Sequence, residues 1–277
     1  MLSEHLKLTS PGLFITATDT EVGKTVTTCA IAAALRVQTG KRVSVCKPYA
    51  SACRREREGL VCGDAEALAH FADCELPLDV INPMRFAKPL APGAAIEQGE
   101  AAGDIERLVH CLQQLDDAGD FMLVEGVGGL LVPLDDGSPC HTVLDLIRAL
   151  DYPVAVVCRA GLGTLNHTAL TVSALKAAGC KVAGLIINGY VPDPSDPVAA
   201  AGRDSAIAND ELKQRLDEDV SMPSNRSWLS RMNNMPVLAT FAKCDRAKVR
   251  PEQGVLPVEI LEAAAATNWK NVMRPPR

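Results

Sequence analysis

Short β-branched runs alternate with longer helix-forming stretches along most of this 277-residue chain, and that alternation limits the fold more than any other feature. Residues 12–17 (GLFITA), 42–47 (RVSVCK), 121–125 (FMLVE), 154–158 (VAVVC) and 182–187 (VAGLII) read as strands, with a weaker one at 237–241. Residues 24–38, 64–72, 104–115 and 164–178 read as helices, the third opened by a capping Asp104. Such alternation predicts an α/β chain with a doubly wound, mainly parallel sheet and helices on both faces. Aromatics make up only 4% of residues, so Val, Leu, Ile and Ala must fill the core, as in buried parallel strands. Right-handed crossovers gather the strand C-termini on one edge, where ligands bind. The informative polar residues fall at that edge, after Ala17, at Lys47, at Glu125 and at Asn188.

The length suits one domain, with a core over about residues 12–242 and a tail over 243–277. Residues 190–225 differ in composition: prolines (YVPDPSDP) precede a charged piece (NDELKQRLDED), which predicts an exposed excursion with one amphipathic helix. Residues 258–265 read as a short outer helix whose sequence carries no legible chemistry. The net charge of −6 and the lack of a basic stripe argue against nucleic-acid binding. The ten cysteines form no C-x-x-C pair, so reduced thiols are expected and zinc is not. The start, MLSEHLKLTS, is polar, and no apolar run reaches membrane length, so cytoplasmic residence is the expectation.

The strongest local signal is TATDTEVGKTVTTCA at residues 16–30, where a strand ends in a polar loop and Gly23-Lys24-Thr25 opens an Ala-rich helix. Loop amides and a helix N-terminus suit anionic oxygens. Gly23 lets the backbone approach a phosphate, Lys24 neutralises β- and γ-phosphates, and Thr25 offers a hydroxyl to Mg²⁺. The strict P-loop pattern has Gly where this chain has Thr18.

Glu125 ends a strand in VEGVGG, a position suited to a magnesium ligand or a water-orienting group. Gly126 and Gly128 beside it imply close backbone contact with a ligand. Asp64 in GDAEAL, taken on its own, reads as a plain helix cap. Lys47 in CKPYAS is an anion-binding group or a solvated lysine at a strand end, and spacing does not separate the two. Gly163, Thr164, Leu165 and Asn166 open a helix, either as an anion site or with Thr164 as an ordinary cap. His167 is assigned no chemistry.

Read together, these motifs resemble the dethiobiotin synthetase family. TDTEVGKT (18–25), KPYAS (47–51), GDAEAL (63–68), KPLAP (88–92), VEGVGG (124–129), GLGTLNHTALT (161–171) and GLIIN (184–188) appear in the family's order, and WLSRMNNMPVLA (228–239) resembles its last strand and approach. The resemblance implies a P-loop fold and an ATP- and Mg²⁺-dependent cyclo-ligase. It would form the ureido ring of dethiobiotin from 7,8-diaminononanoate and CO₂, through a carbamate and a carbamic-phosphoric anhydride. By matching motif position, Glu21, Val22, Gly23, Lys24, Thr25 and Val26 would cradle the phosphates, with Gly126 and Gly128 nearby. Thr25, Asp64 and Glu125 would bind magnesium. Lys47 would hold the carbamate and γ-phosphate oxygens, with Lys24, Thr20 and Ser51 supporting the same centre. Asn188 would meet the adenine. Gly163, Thr164, Leu165 and Asn166 would bind the substrate carboxylate across a homodimer interface.

The chain departs from the family pattern at Ala17, Ala52, Gly93 and Gly189, and at LATFAK (238–243) in place of LG-x-IP. The last two departures predict looser discrimination between ATP and other triphosphates. Three other readings use the same scaffold, one of them a non-catalytic relative that merely binds nucleotide, given Ala17 and the altered end. A related ATP-dependent synthase of the amidotransferase type would want a glutaminase domain, for which the chain has no room. A nucleotide-switched partition ATPase would carry a second lysine early in the loop, and residues 17–22 hold none.

Overall fold

The computed structural model describes residues 6–191 and 219–276. Six strands form its main sheet: β1 (Gly12–Ala17), β2 (Val43–Cys46), β3 (Phe121–Glu125), β4 (Val154–Arg159), β5 (Val182–Tyr190) and β6 (Val237–Ala242). Their spatial order is β6-β5-β4-β1-β3-β2, and every neighbouring pair is parallel, as the alternation predicts. β1 is central, with Phe14 level with Val124 on one side and Val154 on the other. All residues of β1, β2 and β3 are buried, because helices cover both faces of the sheet.

The longer helices among the described residues are α1 (Lys24–Thr39), α2 (Gly63–Ala72), α3 (Ile105–Ala118), α4 (Val143–Leu150), α5 (Thr164–Ala177), α6 (Met222–Asn233) and α7 (Val258–Ala265). The chain steps from β1 one way to β2, then returns through β3 and adds β4, β5 and β6 on the other side. Right-handed crossovers therefore put α1 on one face and α3 to α6 on the opposite face. The packing agrees: α7 lies on α1 and β6, while α6 lies on α5. α3 begins as its sequence predicts, with Asp104 Oδ1 accepting from the Arg107 amide at 3.0 Å. Leu108, Leu112 and Leu115 then fall on one buried stripe of that helix.

The structure shortens one expected strand, forms the expected helix over 258–265, and adds detail to two other segments. The strand predicted over 42–47 is shorter, because the Lys47 amide donates to the Ile81 carbonyl at 2.8 Å instead of joining the ladder. The approach to the last strand is a full helix, α6, whose Asn225, Leu229 and Asn233 recur at one-turn spacing and are buried. The tail does more than coat the exterior. Trp269 is fully buried with its indole N–H on the Ala264 carbonyl (2.7 Å), and the Arg274 carbonyl accepts from the Gly12 amide (2.8 Å). Truncating Trp269 to Ala should cost about 3–5 kcal/mol. Most of the predicted excursion, with its amphipathic helix, lies outside the described residues. Among those described, no helix is long and apolar enough to cross a membrane.

Candidate active site

At the C-terminal edge of β1 and β3 lies a cavity of about 720 Å³, within the usual size for a small-molecule site. Thr20, Glu21 and Gly23 line it from the loop between β1 and α1, and Lys24, Thr25 and Val26 from the first turn of α1. Lys47, Ser51, Asp64 and Gly128 line it from the other elements the sequence singled out. The loop turns through left-handed backbone at Glu21 (φ 57°) and Gly23 (φ 99°). At Gly23 a Cβ would stand 2.1 Å from the Asn188 amide nitrogen, so close approach as well as dihedral requires glycine there. Arg159, at the end of β4, braces the loop by donating to the Thr20 carbonyl at 3.3 Å and pairing with Asp19 at 3.8 Å.

Lys24 is 7% exposed and donates to the carbonyls of Asp19 (3.2 Å) and Gly128 (2.8 Å). Burial, then the Lys47 charge, lowers its pKa to about 8. Deeper in the cavity, Lys47 Nζ lies between Glu125 Oε1 (2.5 Å) and Asp64 Oδ2 (2.8 Å). Lys47 is buried, so it is not a solvated strand-end lysine. Its burial opposes the charge, but the Glu125 and Asp64 carboxylates outweigh that and hold the ammonium above the ordinary lysine range. The Lys47 charge in turn holds Asp64 below the usual carboxylate range, against the effect of burial. The capping reading of Asp64 fails: Cys62 is the N-cap of α2 and no side chain caps that helix.

Glu125 is fully buried. Its Oε1 accepts from Thr25 Oγ1 (2.9 Å) as well as from Lys47, whereas its Oε2 has no partner. An orphaned carboxylate oxygen beside a threonine hydroxyl and a second carboxylate is an oxygen donor set that suits Mg²⁺. Among the described residues no three His, Cys, Asp or Glu side chains cluster into a metal cage. Magnesium does not require one, since it keeps waters and shares substrate phosphates.

Several expected contacts fall elsewhere. Gly126 does not line the cavity: its amide donates to the Ile15 carbonyl (2.9 Å) and it packs on the Phe14 ring. The Val22 side chain is buried in the core, and Val22 does not line the cavity. Asn188 donates to the Val22 carbonyl (2.9 Å) and so braces the loop. Gly163, Thr164, Leu165 and Asn166 do not line the cavity. Gly163 (φ 88°) is the N-cap of α5, and Thr164 is buried against Thr168 rather than capping. Asp219 takes the nearby Leu162 amide (2.8 Å), which leaves the amides of Leu165 and Asn166 at the open end of the helix.

The family departures have structural counterparts. Ala17 avoids left-handed backbone, whereas Ala52 adopts it (φ 57°). At Gly93 a Cβ would meet the Asp135 carbonyl oxygen at 2.4 Å, so the backbone occupies the space a side chain would need. No sequence motif pointed to Pro251 and Glu252, which reach the cavity from the tail, or to Cys62 in its wall.

A family model described as an AAA domain matches residues 11–245. An ATP-dependent dethiobiotin synthetase of Anaeromyxobacter sp. (strain K) is 45% identical over 195 residues, 69% of this chain and 82% of that protein. The chain belongs to the dethiobiotin synthetase family. A second relative of the same name, from Thermodesulfovibrio yellowstonii, is 40% identical over 216 residues, 76% of this chain and 85% of its own length. Among solved structures, the MinC:MinD cell division protein complex of Aquifex aeolicus gives a TM-score of 0.53 at 12% identity. That alignment covers 93% of this chain and 95% of the other, and it shows a shared fold only.

Proposed function

We propose that this chain is an ATP- and Mg²⁺-dependent dethiobiotin synthetase acting on 7,8-diaminononanoate and CO₂. The observation that carries this reading is the convergence of Lys24, Thr25, Lys47, Asp64 and Glu125 on one cavity beside the phosphate loop.

One amine of the substrate takes up CO₂ and loses a proton, giving a carbamate. A carbamate oxygen attacks the γ-phosphorus of ATP and ADP leaves, forming the mixed anhydride. The second amine attacks the carbamoyl carbon, the ring closes, and phosphate departs with the former carbamate oxygen. The loop amides and the N-terminus of α1 would hold the phosphates, and Lys24 would neutralise the bridging charge. Thr25, Asp64 and Glu125 would hold Mg²⁺, which supplies charge neutralisation on the β- and γ-phosphates. Lys47 has three N–H donors, and Glu125 and Asp64 engage two. The third would meet the carbamate and γ-phosphate oxygens as charge develops. Thr20 lines the same cavity, as does Ser51, whose hydroxyl donates to the Leu90 carbonyl (2.5 Å) and ties KPYAS to KPLAP.

The substrate carboxylate would sit at the start of α5 on a homodimer partner. Leu162, Leu170, Trp228 and Met232, on or beside α5 and α6, expose 86%, 62%, 46% and 50% of their surface, an apolar set that a second copy would cover. The partition ATPases share this fold, but the absence of a second loop lysine from residues 17–22 favours the synthetase. The test is ADP release with diamine and bicarbonate supplied singly and together. Turnover only with both is expected, with its loss and retained nucleotide binding in Lys47→Ala. ATP hydrolysis independent of diamine would overturn the reading.

A further inference from the structure

Residues Arg54–Glu56 and Gly59–Val61 form a two-stranded antiparallel hairpin, paired Arg54 to Val61, Arg55 to Leu60 and Glu56 to Gly59. One step further along that register, Cys53 stands opposite Cys62. Both are reduced and buried, and the Cys53 Sγ donates to the Ala50 carbonyl at 3.6 Å. Opposed residues of an antiparallel pair have Cα atoms about 4.5–5.5 Å apart. A disulfide needs about 4.4–6.8 Å, so the backbone already suits the bond. Cys62 also lines the active-site cavity and is the N-cap of α2, two residues before Asp64. The other face of the hairpin is tied to α2 by Arg54, which pairs with Glu66 at 2.5 Å.

We propose that Cys53 and Cys62 form a reversible disulfide that couples peroxide exposure to the position of Asp64. Hydrogen peroxide is small enough to enter the cavity. One thiol of the pair displaces water from peroxide to give a sulfenic acid, and the other attacks it, releasing a second water. Two thiols lose two electrons and two protons, and one peroxide becomes two waters. An external dithiol reverses the step by exchange. Bond formation draws the two sulfurs together to about 2.05 Å. That pull acts on the residue that starts α2, and hence on Asp64 against Lys47. Misplacement of this kind should lower turnover about tenfold or more.

The test treats the whole wild-type protein with hydrogen peroxide and maps its peptides by mass with fragmentation. A Cys53–Cys62 link about 2 Da lighter than the two thiols is expected, reversed by dithiothreitol together with the loss of turnover. Exposed Cys140 serves as the control for oxidant delivery. Cys53→Ser keeps a hydroxyl opposite Cys62, so it should retain basal turnover and lose the reversible response. Absence of the link while Cys140 is oxidised overturns the proposal, and the mapping decides this even if Cys53→Ser does not fold. A link that leaves turnover unchanged, or equal reversible inhibition of Cys53→Ser, overturns the coupling to Asp64. The link is read by mass alone, so its failure is distinct from failure of the synthetase reading.

Discussion

Nucleotide binding should take up a proton, and the amount should climb with pH because of Lys24. Burial and the neighbouring Lys47 lower its pKa to about 8, while two carbonyls orient its nitrogen. A triphosphate in the loop supplies opposite charge and should return that pKa to at least the ordinary value of about 10.4. The neutral fraction before binding then sets the uptake: about 0.1 proton at pH 7, about 0.5 at pH 8 and about 0.9 at pH 9. Titration calorimetry of a non-hydrolysable ATP analogue with Mg²⁺, in two buffers of different ionisation enthalpy, measures this directly. Affinity should fall by up to about tenfold per unit above pH 8. The sign for stability follows from the same shift. The unfolded chain binds more protons than the native one between about pH 8 and about pH 10.4, so the ligand-free protein gains stability as pH rises through that window. Lys24→Met should abolish the pH dependence of uptake. Uptake that is flat from pH 7 to 9, or unchanged in Lys24→Met, would refute the buried-lysine argument.

Further outcomes can be checked separately. Ala52→Gly should stabilise the protein, because relief of left-handed strain of about 1–2 kcal/mol exceeds the entropy cost of about 0.4–1 kcal/mol. A thermal scan should show Tm rising by about 1–3 °C, and a fall would refute the strain. At saturating diamine, rates with CTP and GTP should lie within about tenfold of ATP, since Gly189 supplies no carboxylate to a base and Asn188 is engaged with the loop. A preference for ATP beyond hundredfold would count against it. Trp228→Glu should yield monomers by light scattering and raise the KM for diamine while leaving nucleotide affinity intact. An unchanged dimer would exclude this face.

The phosphate loop and Glu125 were legible because the switch from strand to polar loop to helix fixes where those side chains emerge. Asp64 and Lys47 were ambiguous for a physical reason. A helix start and a strand end each have a structural use for the same residue, and only their 2.8 Å pairing over a buried Glu125 decides between uses. Gly126 was misread because its glycine character serves packing on Phe14 rather than a ligand. Pro251 and Glu252 were invisible, since that part of the tail reaches the cavity by packing mainly on α2, and no local pattern encodes that path. The Cys53–Cys62 pairing required a hairpin register that a charged, exposed segment does not announce.

Running the reaction with ¹⁸O-labelled bicarbonate and analysing the released phosphate by mass tests most directly whether the γ-phosphoryl group passes to a carbamate oxygen within this cavity. Phosphate carrying one label per dethiobiotin formed is predicted. Unlabelled phosphate accompanying normal product would contradict it.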